Sequence, residues 1–243
     1  MSMPFWVARF ACLVLALSGS VVRADDLADF NMAVEAVSAH NRVAISYLRT
    51  GNADLASLEI DRLRDSWSRL SERFSGKRPP AFDGNVLYGR LFTAVSARLV
   101  GADIMLKTGR LDSARAALNS VRGDLYDLRK ASGVVVLADC VRDANTTMDA
   151  LMIYNDRALD WDNSDIRTGL AQKATSYGAL LDRCDGIANT TVREAPEFRR
   201  LVDGAKASLL LIPKAITTRD ADLLHRILIE LRSLDNLLAF RYG

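Results

Sequence analysis

The sequence predicts an all-α protein of four long helical hairpins, eight helices in all, closing into two tandem up-down four-helix bundles. Three observations predict it. Apolar residues recur at alternating steps of three and four through almost the whole chain, the period of a helix with one buried face. A short turn built on Thr-Gly and a following Asp is written twice, in YLRTGNADLA and MLKTGRLDSA. No segment alternates apolar and polar residues as a half-buried strand would.

Residues 1–24 stand apart from this pattern. A start carrying Arg9, an apolar stretch from Phe10 to Leu17 and small residues ending in Val22-Arg23-Ala24 have the layout of a secretory signal, with cleavage expected after Ala24. The stretch is too short to span a bilayer. Arg9 and Arg23 leave with it, so 32 basic and 30 acidic residues become 30 against 30. That balance gives no basic patch for nucleic acid or an anionic membrane surface. No later segment is long and apolar enough for a membrane span, so the mature chain is expected in the bacterial periplasm or, alternatively, secreted.

The helices follow in order. The first, over 27–50, aligns Leu27, Phe30, Val34, Val37, Ala44 and Leu48, with His40 and Asn41 inside the same stripe, where a buried amide fixes register. The second, over 54–75, aligns Ala56, Ile60, Leu63, Trp67, Leu70 and Phe74; the breaker SGKRPP at 75–80 ends it. Helix three, over 84–108, carries Tyr88, Phe92, Val95, Leu99, Ala102 and Leu106, and helix four, over 112–130, carries Leu111, Ala114, Leu118, Val121, Leu125 and Leu128. After ASG at 131–133, helix five over 134–159 aligns Leu137, Cys140, Ala144, Thr147 and Leu151, and helix six over 165–187 aligns Leu170, Tyr177, Leu180 and Cys184. Helix seven, over 195–216, should be kinked or shortened by Pro213. Helix eight, over 220–241, aligns Leu224, Ile227, Leu231, Leu234 and Leu238.

The turns order these rods. Gly51 and Gly109 can take the left-handed conformation that ends a helix, and Asp54 and Asp112 can cap the free amides of the next. Fainter copies place Asp165 and Asp222 as further capping aspartates, at intervals of 58, 53 and 57 residues. Two hairpins make each bundle, over 25–131 and 134–243.

Ala44, Tyr47, Gly51, Ala56 and Ile60, and again Ala102, Met105, Gly109, Ala114 and Leu118, share a 3-4-5-4 spacing of small and bulky residues that resembles tetratricopeptide helical hairpins. The resemblance covers about 17 residues in each of two hairpins, and the period here exceeds that family's usual value of about 34 residues. It implies a stacked scaffold, a short α-solenoid, that holds a peptide or protein. Pairing antiparallel buries a full stripe on rods of this length most simply, which favours closed bundles.

Cys140 and Cys184 stand about equally far from the turn near 161–163, level with each other on two core stripes. With no Cys-x-x-Cys and an export signal ahead of them, a structural disulfide is expected.

Little else carries chemistry. With two histidines and no Cys-x-x-Cys-His or Glu-x-x-His, covalent haem and bridged di-iron sites are excluded. Met148, Met152 and His225 come to similar heights in an up-down second bundle, which resembles in outline the Met/His ligation of b-type cytochromes and makes non-covalent haem or a metal the alternative to a chain without cofactor. Asn-Thr-Thr at 145–147 and 189–191 matches a glycosylation sequon formally and reads as structural. No nucleophile–base pair or phosphate loop is present, so the expected function is a non-enzymatic scaffold engaging a protein or peptide partner; the alternative is a small-ligand bundle.

Overall fold

The computed structural model of the chain describes residues 19–156 and 158–243. Residues 1–18 of the expected export signal therefore lie outside the described residues. The described chain is all-helical: α1 (Gly19–Arg49), α2 (Ala53–Phe74), α3 (Val86–Lys107), α4 (Leu111–Ala131), α5 (Leu137–Met152), α6 (Ser164–Ile187), α7 (Thr190–Glu194), α8 (Pro196–Leu209), α9 (Ile212–Thr218) and α10 (Ala221–Tyr242), with a 3₁₀ turn at Pro80–Phe82.

The periodic stripes follow the buried faces, except that Met148 and Leu181, not Thr147 and Leu180, fill the core positions of α5 and α6. Ala56, Ile60, Leu63, Trp67, Leu70 and Phe74 of α2 are each at most 3 % exposed. Burying one such large side chain contributes about 1.5–3 kcal/mol, so the stripe, more than local propensity, holds the helix in place. In the first bundle α1 packs on α2 and α4, and α3 packs on the same two helices. In the second, α10 packs on α5 and α8, and α6 on α5, α8 and α9. First and last rods thus meet in each half, which overturns the stacked solenoid, where they would stay apart. The buried apolar residues accordingly form two clusters, one from Phe30 to Leu128 and one from Cys140 to Leu238.

The repeated turn is one structure used four times. Gly51 and Gly109 have φ of +76° and +72°, and Gly133 and Arg219 take the same left-handed place at +66° and +53°. At each, the next amide reaches back five residues: Asn52 to Tyr47 at 2.9 Å, Arg110 to Met105 at 2.8 Å, Val134 to Arg129 at 2.9 Å and Asp220 to Ala215 at 3.0 Å. These bonds satisfy carbonyls that a helix end otherwise leaves open. Thr50 and Thr108 add hydroxyl bonds to the last-turn carbonyls of their own helices.

The capping aspartates need correction. Each cap sits two residues earlier than Asp54, Asp112, Asp165 and Asp222, at Asn52, Arg110, Asn163 and Asp220. Asn52, Asn163 and Asp220 accept from first-turn amides, while Arg110 gives no side-chain cap. A side chain caps from a residue whose own backbone is not yet helical. The four predicted aspartates already lie in the first turn, where a carboxylate favours the positive end of the helix dipole.

Two rods are shorter than the sequence suggests. Helix five stops at Met152 instead of 159, because Asp156 and Asp160 accept from Ala158 N at 2.9 Å and Asp162 N at 3.1 Å and so turn the backbone locally. The seventh rod breaks into α7, α8 and α9. Pro196 starts α8 after an extended Ala195, and Pro213 lacks the amide that would bond Leu209, leaving Leu210 and Leu211 between α8 and α9.

The joints are also packed. Phe82 of the 3₁₀ turn is fully buried and lies edge-on to Phe30 at 5.2 Å, and the Tyr88 hydroxyl donates to the Phe74 carbonyl at 2.7 Å. Burial pushes that phenol up to about 12. Between the bundles, Arg129 of α4 makes a bidentate pair with Asp139 of α5, both bonds 2.6 Å.

Candidate functional site

The break in the seventh rod opens a groove. When α8 ends at Leu209 and the chain restarts at Ile212, the wall facing α6 is interrupted, and α6 presents small residues there: Ala171, Ala174 and Gly178. Leu209, Leu210, Ile212, Pro213 and Ile216 form the opposite wall, enclosing about 610 Å³. A methyl group added at Gly178 would lie 3.5 Å from Leu209 Cδ1, an ordinary contact, so the small residue keeps the floor open without strain.

The lining is apolar because its hydroxyls are already satisfied. Thr175 donates to Ala171 O at 3.0 Å and Thr217 to Pro213 O at 2.8 Å, each back into its own helix. At the rim, Lys206 pairs with Asp182 at 2.5 Å. Leu210 stands at the lip 79 % exposed. An apolar surface bounded by an ion pair can hold apolar side chains.

In the core beside the groove, the second bundle carries a buried polar network. Asp235 of α10 is fully buried and accepts from the Tyr177 hydroxyl at 3.1 Å and the Asn145 amide at 2.5 Å, with Arg232 at 3.6 Å. Burial raises its carboxyl to about 6, against the downward pull of those bonds, and the Tyr177 phenol is raised as well. Fully hydrogen-bonded, such a network sets the register of three helices.

The predicted site residues fall as follows. The sulfurs of Cys140 and Cys184 lie at bonding distance with Cα atoms 5.5 Å apart, both in the core. Met148 is fully buried in the second core and Met152 packs against it. His225 is half-buried, its Nδ1 2.7 Å from the Asn155 amide oxygen, so the end of α5 and the start of α10 are adjacent. The most prominent cavities are lined by other residues than these three. Among the described residues, no group of three His, Cys, Asp or Glu side chains could hold a metal ion. Of the two sequon asparagines, Asn145 is bound to Asp235 and Asn189 caps α7. Asn41 donates to the Leu118 carbonyl at 3.2 Å, locking α1 to α4, and His40 pairs with Glu59 at 2.9 Å.

Sequence reasoning missed Asp235 and the groove. Asp235 was findable, since it lies four residues beyond Leu231 and three before Leu238 on the apolar stripe of the last helix. The groove was not, because only the packed helices show where the interrupted wall leaves space. No protein-family model, curated protein or solved structure matches this chain.

Proposed function

We propose that the chain is exported by a cleaved signal at residues 1–24, to a bacterial periplasm or alternatively outside the cell, and acts there as a non-enzymatic helical binding protein. Its partner is a protein or peptide, received in the groove between α6 and the α8–α9 break. The observation that carries this reading is the exposure of Leu210, 79 %, at the lip of an apolar groove of about 610 Å³. Soluble surfaces seldom leave a contiguous apolar concavity uncovered. A cleft between helices with inward hydroxyls and a charged rim suits the apolar face of an amphipathic helix, whose side chains at i, i+3 and i+4 would line the floor. The bonded cysteine pair in the same bundle supports an oxidising compartment.

The test is site-specific photo-cross-linking in the cells that make the protein. A photoreactive residue at Leu210 should give one discrete covalent adduct with a second protein. The same residue at Val100, exposed on α3, should not. Ala174→Lys, which fills the groove, should abolish the adduct while leaving the helical circular dichroism intact. No adduct from Leu210, or one that survives Ala174→Lys, would contradict the reading.

A further inference from the structure

The two bundles meet around a cavity of about 350 Å³. The first bundle lines it with Asn31, Val34 and Ser38 of α1, and the second with the start of α5, Val192 of α7 and Tyr242 of α10. It shares no lining residue with the groove on α6. The volume is that of a small-molecule site, and seams between packed units are where such sites concentrate.

The charged side chains at this cavity are already matched. Arg129 gives both of its bonds to Asp139 at 2.6 Å, Glu35 takes Arg42 at 2.6 Å, and Arg241 meets Glu197 at 3.0 Å. A charged ligand would therefore lose hydration here without gaining a free counter-charge. The groups left over are neutral, and most can donate. Among the described residues, the hydroxyls of Ser38 and Tyr242 have no hydrogen-bond partner, although both residues are half-buried. Asn189 spends its oxygen on the Val192 amide at 2.9 Å, which leaves its nitrogen. The Asn31 oxygen is shut off from solvent and unpartnered, so its nitrogen is the part of that side chain able to reach the cavity. The backbone amides of Leu137 and Ala138 add to this set, since α5 starts at Val136 with no side-chain cap.

We infer that this seam binds a neutral, mainly apolar small molecule carrying a carbonyl oxygen. Its body packs on Val34, Leu137 and Val192, and its oxygen accepts from the donors gathered around them. Half-buried polar groups ordinarily find partners, and a set rich in N–H and O–H is completed by an acceptor. Size sets the other limit. One water takes about 30 Å³ of liquid, so the space suits roughly a dozen non-hydrogen atoms. Because α1 belongs to one bundle and α5, α7 and α10 to the other, occupation ties the two together.

Nuclear magnetic resonance titration of the purified protein tests this with three probes of similar size: N-propylbenzamide, 4-propylbenzoate and butylbenzene. The amide should bind saturably at one site per chain and move the Leu137 and Ala138 amide resonances. The anion, and the hydrocarbon that lacks the oxygen, should each bind about tenfold more weakly, the order of one good hydrogen bond or an unmet charge. Ser38→Trp, which fills the cavity, should abolish binding of N-propylbenzamide. Asn31→Leu, a helix-compatible change that removes one donor, should weaken it severalfold with the helical circular dichroism intact. Ala174→Lys in the groove should leave it unchanged, which separates this site from the partner groove. No saturable shift with N-propylbenzamide, equal affinity for 4-propylbenzoate or butylbenzene, or an affinity unmoved by both Ser38→Trp and Asn31→Leu would overturn the inference.

Discussion

The Tyr177 hydroxyl donates to the Asp235 carboxylate at 3.1 Å in the middle of the second bundle, where water reaches neither side chain. Burial makes this carboxyl easier to protonate than in the unfolded chain, raising it from 3.8 to about 6. The sign follows: a raised acid favours the folded state when protonated, so its contribution is fully present below about pH 3.8 and is lost as pH rises through about 6. The loss should approach roughly 3 kcal/mol at neutral pH. Urea unfolding of the protein and of Asp235→Asn across this window isolates it, since the other carboxylates act on both alike. The gap between the two curves should shift in favour of Asp235→Asn as pH rises; parallel curves would contradict the assignment.

The bond between Cys140 and Cys184 closes a loop of 44 residues. Chain-entropy reasoning gives it about 4 kcal/mol of stabilisation, by restricting the unfolded state. The double variant Cys140→Ser, Cys184→Ser should lose that order of stability in denaturant, with its helical circular dichroism unchanged in buffer. Mass spectrometry of the protein purified from its own cells, under non-reducing conditions, should find no free thiol on either residue.

Arg219 occupies the place that glycine fills in the other three helix-ending turns, at φ +53°. A side chain there costs roughly 1 kcal/mol relative to glycine. Arg219→Gly should therefore raise the free energy of unfolding by about 1 kcal/mol, even though it removes the surface pair with Asp162 at 2.7 Å, which is exposed and worth little. Gly109→Ala should move stability by a similar amount in the opposite direction. Thermal unfolding of the two variants checks both.

Much of this fold is legible in the chain because helical period and turn chemistry are local. The stripe from Ala56 to Phe74, the left-handed glycines 51 and 109, and the level positions of Cys140 and Cys184 all need only spacing and residue type. Caps were displaced by two residues because Asp54 and its counterparts are as suitable inside a first turn as before it, and only backbone geometry separates the two roles. The early end of α5 follows from Asp156 and Asp160 bending the backbone through their own side chains, a competition that a period of apolar residues cannot register. The groove is further still from the sequence. It joins separate helices at a place where packing is incomplete.

Hydrogen–deuterium exchange addresses the binding reading most directly, comparing the protein alone with its complex with the partner recovered through Leu210. Amides on both walls of the groove, around 171–178 on α6 and 209–217 across the α8–α9 break, should become protected in the complex while the first bundle exchanges as before. Unchanged exchange along those two segments, or protection confined to α1–α4, would contradict it.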